Sequence, residues 1–369
     1  MKIALIGSLP PYKDGIADHN HILFENLVAL KKNTFNIYSS DNENADYPEK
    51  LKKYIKNDLS TIKNKYDLVH MQFGNSYPNS FVFKTFNIVK NSDVKIISTL
   101  HDFTNTNFAK ILRTIFSDPK KIIYELNKPS IKEIIERSDK VIVYSKFIRN
   151  YLVKKYNQKD KFIISQIGAN YSSRSVNKTD NFSIKNSTFK LSSFGSVTPR
   201  KGFESVIKAV YSLKKKGLKI QYNIVGSCNF LIYKVYLQSL INIYGLTKEV
   251  KLLGFIKTEM VEKIINSSHA LVQPRLYTNE GASASLATVL CSRKAIISSN
   301  IGAMSEYIDN FNTGLLVSHN PKAYEAAIYT LYCNAPLRKM LGNKSYIWAH
   351  KHLDLSKIAK KHLKIYSNI

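Results

Sequence analysis

A chain of 369 residues is too long for one ordinary core and fits two α/β domains. Apolar side chains make up 44% of it, against only 14 Gly and 10 Pro, which excludes a disordered or fibrous chain. The net charge of +28 admits nucleic acid, an anionic membrane or a phosphorylated substrate as partner, but no zinc-finger spacing, RNA-binding aromatic signature or recognition-helix pattern supports nucleic acid.

The opening MKIALIGSLPPY carries one lysine and a very short apolar run before paired prolines, which reads as a first strand and not a signal peptide. Short β-rich runs follow: FNIYSS, DLVHMQF, KIISTL, KVIVYS and KFIISQIG, with amphipathic stretches between several of them. This alternation predicts a doubly wound, Rossmann-like domain over 1–170. A polar stretch without apolar period, YSSRSVNKTDNFSIKNST, is the expected linker at 171–188. The pattern then restarts: strand FKLSSFGSV, helix FESVIKAVYSLKKKG, strand YNIVGS, a helix over 230–246, strand VKLLGF and a helix over 258–268. Strand ALVQP, a helix from about Ser283, strand AIISS and a short helix at Met304–Ile308 complete a second such domain over 189–345. Basic helix over 346–369 is expected to pack back on the first domain. No run approaches the roughly 18 to 20 apolar residues of a membrane span, and Cys228, Cys291 and Cys333 lack any CxxC or metal spacing, as in a reduced, cytoplasmic protein.

In such sheets ligands bind beyond the carboxyl ends of the strands, so the loops there carry the candidates. After FKLSSF, Gly195 and Gly202 allow a tight backbone, and Arg200 and Lys201 bring cations to the next helix entrance, an arrangement suited to an anion. After ALVQP, Glu280 can accept hydrogen bonds from sugar hydroxyls, while the small Gly281, Ala282 and Ser283 leave backbone amides uncovered. Gly15 opens a helix after the first strand's loop, and His101 ends KIISTL at the sheet's carboxyl edge. Ordinary alternatives stand beside each: a turn with solvated charges for Arg200 and Lys201, a helix-dipole contact for Glu280, a structural histidine for His101.

Taken in order, DGIADHNHIL, YDLVHMQF, STLHDF, FGSVTPRKGF, YNIVGS, VKLLGFI and ALVQPRLYTNEGASASLATVL resemble the retaining family-4, or group 1, glycosyltransferases, over nearly the whole chain. That resemblance implies the GT-B fold, two Rossmann-like domains facing across a cleft, and transfer of a sugar from a UDP-, GDP- or ADP-linked donor to a glycan or lipid-linked acceptor in cell-surface polysaccharide synthesis. It implies no cofactor and no metal. It places Lys201, with Arg200 beside it, on the donor diphosphate; Glu280 on hydroxyls of the donor sugar, with the amides of Gly281, Ala282 and Ser283; His101 near the transferred sugar; and Gly15 on the loop that closes over the phosphate. Gly195 falls in the second-domain loop that carries Arg200 and Lys201, and Gly226, Phe255 and Ile256 fall where the family shapes its base pocket. Gly302 and Glu306 also match family positions, where a structural role is an equal reading.

The sequence departs from the pattern twice. Ser196 stands where the family often has arginine, so that Arg200 or Arg275 must supply the missing cation, and Thr288 stands where a second glutamate usually grips the ribose. These departures keep two other readings open: a catalytically silent GT-B subunit that binds a partner transferase or glycan, and a nucleotide-sugar epimerase. Finally, FAKILRTIFSDPKKIIYEL sets Phe108, Ile111, Leu112, Ile115 and Phe116 at helical spacing beside Lys110, Arg113, Lys120 and Lys121. That is the pattern of a basic helix lying on an anionic membrane, and equally of a core-facing helix with solvated lysines.

Overall fold

The computed structural model describes residues 1–12, 15–39, 46–60, 62–74, 80–101, 128–169, 188–228, 230–276 and 283–369. They form two units: one from the start to Gly168 together with Asp354 onward, the other from Ala169 to Leu353. The linker expected at 171–188 lies, apart from Thr188, outside the described residues, as does the expected membrane helix around Phe108 to Lys121.

The first unit runs β1 (Lys2–Ile6), α1 (Gly15–Ala29), β2 (Thr34–Tyr38), β3 (Leu68–Phe73), α2 (Ser80–Val89), β4 (Lys95–Leu100), α3 (Ile131–Arg137), β5 (Lys140–Val143), α4 (Lys146–Tyr156) and β6 (Phe162–Ile164). All its strands pair in parallel, in the order β2-β1-β3-β4-β5-β6. A parallel sheet is covered by helices on both faces, which is why its strands read as unbroken apolar runs such as Ile3 to Ile6. Helices α3 and α4 begin where Ser130 and Ser145 accept hydrogen bonds from the backbone of Glu133 and Ile148, satisfying amides the helix itself leaves over.

The second unit runs β7 (Phe189–Phe194), α5 (Phe203–Lys215), β8 (Ile220–Val225), α6 (Leu231–Ile243), β9 (Val250–Gly254), α7 (Thr258–Ser267), β10 (Ala270–Gln273), α8 (Ala284–Leu290), β11 (Ala295–Ser299), β12 (Leu315–Val317), α9 (Pro321–Cys333) and α10 (Ala335–His352). Its parallel sheet has the order β12-β11-β10-β7-β8-β9. Phe203, Val206, Ile207, Val210 and Leu213 put one face of α5 into the core beneath this sheet. The three-residue β12 escapes pattern reading because it is shorter than any usable alternation.

Helix α11 (Leu355–Ser367) returns to the first unit, where Ile358, Ala359, Leu363 and Tyr366 join Leu23, Phe24 and Leu27 of α1 in one core. The expected boundary at 346 falls inside α10, which continues unbroken to His352. The chain changes unit only where Asp354 starts a new helix by accepting from the Lys357 backbone at 3.0 Å.

Each strand order contains one reversal. In the first sheet the chain adds β2 on one side of β1 and then β3 on the other; in the second it adds β8 and β9 on one side of β7 and then β10 on the other. At such a point the two outgoing loops diverge and leave a crevice at the carboxyl ends of the strands. The residues just beyond β7 and β10, and those beyond β1, β3 and β4, are therefore where each sheet can hold a ligand.

Candidate functional site

Beyond β7 the ladder continues for one more bond, Gly195 N–H to the Val225 carbonyl at 3.0 Å, and the loops after β7 and β8 then meet backbone to backbone. Gly226 has φ +147°, and a side chain there would collide with the Gly195 carbonyl, so the contact requires glycine. The chain next makes a tight 3-10 turn over Pro199–Lys201, closed by the Lys201 N–H on the Thr198 carbonyl at 3.0 Å. Gly202, φ +69°, ends the turn against the imidazole of His319, which any Cβ would strike. His319 is itself held by Ser205 Oγ at 3.2 Å, Ser299 Oγ at 3.3 Å and Tyr324 OH at 3.2 Å.

This turn puts Lys201 inside the domain, only 7% exposed. The segment leaving β10 is tied to it by the Leu276 N–H on the Arg200 carbonyl at 2.9 Å. That tie carries Arg275, 2% exposed, into the same region, with its backbone N–H on Ser299 Oγ at 2.6 Å and its guanidinium Nη2 donating to Ser283 Oγ. Ser283 Oγ also caps α8 by accepting from the Leu286 N–H at 3.2 Å and sits 2.9 Å from Ser285 Oγ. Burial, then the positive charges of Arg275 and Arg200, press the Lys201 ammonium well below the usual lysine range. Burial and the charge of Arg200 likewise hold the Arg275 guanidinium down to about 9. Three cations converge at the reversal between β7 and β10, and their mutual repulsion marks a place that favours an anion.

Phe255 and Ile256 follow β9 directly, on a loop joined to Gly226 by its N–H on the Gly254 carbonyl at 2.9 Å; Phe255 is exposed and Ile256 half-buried. Thr288 lies on α8, half-buried, with its hydroxyl donating to the Ala284 carbonyl of its own helix at 3.0 Å. Glu280, Gly281 and Ala282 lie outside the described residues. The structure thus brings Gly195, Arg200, Lys201, Gly226, Arg275 and Ser283 together around one reversal, with Phe255 and Ile256 on the neighbouring loop.

The first unit holds a site of another kind. Gly15 opens α1 with open space about it. His101, immediately past β4, donates its backbone N–H to the Phe73 carbonyl at 2.9 Å and reaches Gln72 Oε1 with Nε2 at 2.8 Å. The Gln72 amide nitrogen faces His70 Nε2 at 3.2 Å, Thr99 Oγ1 lies 2.7 Å from the same nitrogen, and His70 Nδ1 lies 2.7 Å from the hydroxyl of Tyr366 on α11. One assignment of protons satisfies the chain. Gln72 and Thr99 donate to an unprotonated His70 Nε2, His70 Nδ1–H donates to Tyr366, and His101 donates from Nε2 to the Gln72 carbonyl, leaving Nδ1 to accept from Tyr144 OH at 3.1 Å. His19 of α1 packs edge-on to His101 with ring centres 5.5 Å apart.

All these imidazoles are kept neutral. Burial, with a neighbouring histidine, takes His19 down to about 3; burial takes His362 of α11 down to about 4; and His70 and His101 are both held well below the usual histidine range by burial, with His362 next for His70 and His19 for His101. Sequence reading found His101 but missed Gln72, His70, Tyr144 and Tyr366. The signal for two of them was present: His70 and Gln72 are polar, two apart in an otherwise apolar run, and so share one face of a buried strand.

Residues 177–348 match the family described as "Glycosyl transferases group 1". An uncharacterized glycosyltransferase of Methanocaldococcus jannaschii, MJ1069, is 28% identical over 255 residues, 68% of this chain; the match spans only 63% of that relative's length. Among solved structures, sucrose-phosphate synthase from Thermosynechococcus elongatus superposes with a TM-score of 0.74 at 16% identity, covering 100% of this chain and 98% of that one. HepE of Anabaena, in complex with UDP and glucose, gives 0.72 at 13% identity, covering 100% of both chains. At such identities these likenesses speak for the fold, while the family match falls on the domain that holds the cation cluster. Residues 177–348 therefore match the group 1 glycosyltransferases, and the chain has the GT-B fold of two Rossmann-like domains.

Proposed function

We propose that this chain moves a sugar, with retention of configuration, from a nucleotide-sugar donor to a glycan or lipid-linked acceptor at the cytoplasmic membrane face, in cell-surface polysaccharide synthesis. The observation that carries the reading is the convergence of buried Lys201 and Arg275 with Arg200 at the reversal between β7 and β10. A diphosphate placed there relieves the repulsion among the cations, and the relief grows as the bond from the sugar C1 to the diphosphate oxygen breaks and negative charge develops on the leaving group. In this reading the acceptor oxygen bonds C1 from the face the diphosphate leaves, and a phosphate oxygen takes the acceptor's proton. His101, neutral and oriented by Gln72, meets hydroxyls of the transferred sugar; Glu280 is assigned to the donor sugar by the resemblance alone.

The choice of base rests on Phe255, Ile256 and the Gly226 turn. The HepE complex with UDP and glucose makes UDP-glucose the first donor to try. Calorimetry with UDP, GDP and ADP, each free and sugar-linked, should show at least one binding below millimolar concentration, with nucleotide release dependent on added acceptor. Absence of binding by every nucleotide to the folded protein would instead support a catalytically silent subunit, a reading favoured by Thr288 in place of a ribose-gripping carboxylate.

A further inference from the structure

Helix α6 is apolar on two opposite faces. Tyr233, Leu237 and Ile241, four residues apart, pack into the core, and Tyr233 is fixed further by accepting from the Phe203 N–H at 3.1 Å and donating to Glu204 at 2.7 Å. That is the packing face, and it is complete. On the other side Ile232, Val235, Tyr236 and Ile243 form a stripe at helical spacing, extended at the helix start by Phe230 and Leu231. These side chains are far out in solvent: Ile232 is 88% exposed, Ile243 75% and Leu231 72%. Scattered apolar residues on a surface need no explanation, but a stripe broken only at Ser239, on a helix already anchored by its other face, does.

We propose that this stripe is a membrane-docking face, on which α6 lies in the interfacial plane of an anionic bilayer. Three observations choose a lipid surface over other occupants. From Cys228 to Lys248 the sequence contains no acidic residue, and its charged members are Lys234 and Lys248. Of the acidic groups that flank the helix, Glu249 is paired with Lys214 at 2.8 Å, and Glu204 is turned to the packing face, where it accepts from the Tyr233 hydroxyl at 2.7 Å. The chain as a whole carries +28, so a second copy is repelled where an anionic surface is attracted. The stripe from Ile232 to Ile243 is a straight run of about 16 Å on a convex helix, suited to shallow insertion of aliphatic side chains with Phe230 and Tyr236 at headgroup depth. The same docking would bring the enzyme to an acceptor carried on lipid. To that extent it deepens the reading of a membrane-borne acceptor, yet it is measured by vesicle binding alone, so its failure leaves the donor chemistry untouched.

The test uses the full chain and sedimented vesicles of phosphatidylcholine, with and without phosphatidylglycerol. The expected result is binding that requires phosphatidylglycerol, weakens with salt, and falls at least tenfold in Ile232→Glu combined with Ile243→Glu. Both positions are solvent-exposed, so the variant's circular dichroism and its affinity for nucleoside diphosphate should match the parent. In a second variant, Ile232→Trp, emission should shift to the blue on anionic vesicles as the indole leaves water. Equal vesicle binding by parent and the double glutamate variant would reduce the attraction to bulk charge and overturn the proposal. So would no binding at all, or a dimer in sedimentation that Ile232→Glu dissolves, which would make the stripe a contact between copies.

Discussion

The two carboxyl edges of this protein solve opposite electrostatic problems. Beyond β7 and β10, three cations crowd together, two of them almost wholly buried; Arg200 disfavours the charge of both Lys201 and Arg275, and Arg275 adds to the effect on Lys201. Beyond β3 and β4, imidazoles and phenols join through an amide in a chain of hydrogen bonds, and burial strips them of charge. A site that stores repulsion is prepared to receive an anion, and one that stores oriented neutral dipoles is prepared to receive hydroxyls. In the reading proposed above, the second domain answers the donor's charge and the first offers hydrogen bonds to hydroxyls.

The contrast is most sharply tested by acid. His19, His70 and His362 are buried and keep folded-state values far below the 6.5 of an unfolded chain. Between those values the unfolded state binds protons that the folded state refuses, so stability is full above pH 6.5 and is lost as pH falls below it. At pH 5 His19 and His362 each withhold about 2 kcal/mol, His70 acts in the same direction, and the two together approach the lower end of the roughly 5 to 15 kcal/mol that holds an ordinary domain together. Trp348, the sole tryptophan, lies on α10 in the second domain and reports there. Urea unfolding should therefore split as pH drops from 7.5 to 5: the circular-dichroism midpoint falls in an early component that tryptophan emission does not follow. If both probes kept one common midpoint across that range, the neutral character of the first domain would not be an energetic feature.

Next in size is the effect on the cation cluster. Lys201→Ala removes a charge-assisted contact worth about 1.5 to 3 kcal/mol, so nucleoside diphosphate should bind roughly ten- to a hundredfold more weakly. Because the parent Lys201 sits well below the usual lysine range, its proton is lost earlier as pH rises. Affinity of the parent should accordingly decline on the alkaline side at a pH where an ordinary lysine is still charged, and Lys201→Ala should flatten that decline. Calorimetric titration across the alkaline range measures both, and an unchanged affinity in the variant would move the diphosphate elsewhere.

Much of this architecture was legible in the sequence because parallel strands covered on both faces spell themselves out as apolar runs, and the loops between them carry glycines and cations at readable offsets. Gly195, Arg200, Lys201, Gly226 and Ser283 follow strands or open helices, so their convergence is a consequence of order along the sheet. Other features depend on distance in the chain. Tyr366 meets His70 across 296 residues, and His319 meets the Gly202 turn only after the chain has laid down β12. No local pattern announces such a meeting. The second apolar face of α6 was hidden for another reason: FLIYKVYLQSLINI reads as a well-buried helix, and only the fold shows which half of it faces solvent.

The smallest expected effect concerns Thr288, the residue that departs furthest from the family pattern. A glutamate there could offer two charged oxygens to the ribose, whereas the threonine hydroxyl is shorter, uncharged and already donates to the Ala284 carbonyl at 3.0 Å. A hydroxyl turned back on its own helix keeps only acceptor capacity and contributes little to a ligand. Thr288→Val preserves the shape and deletes only that hydroxyl, so nucleoside diphosphate affinity should move by less than about threefold, within 0.5 to 1 kcal/mol of one ordinary neutral hydrogen bond. Thr288→Glu is the informative partner: with the cation cluster intact, a restored carboxylate should tighten nucleotides that carry a ribose and leave inorganic pyrophosphate unaffected or slightly weaker. Competition of pyrophosphate against nucleotide, measured in parent and both variants, separates the two halves of the ligand. A large loss in Thr288→Val would show that this hydroxyl does hold the donor, and would place the ribose on α8 despite the missing carboxylate.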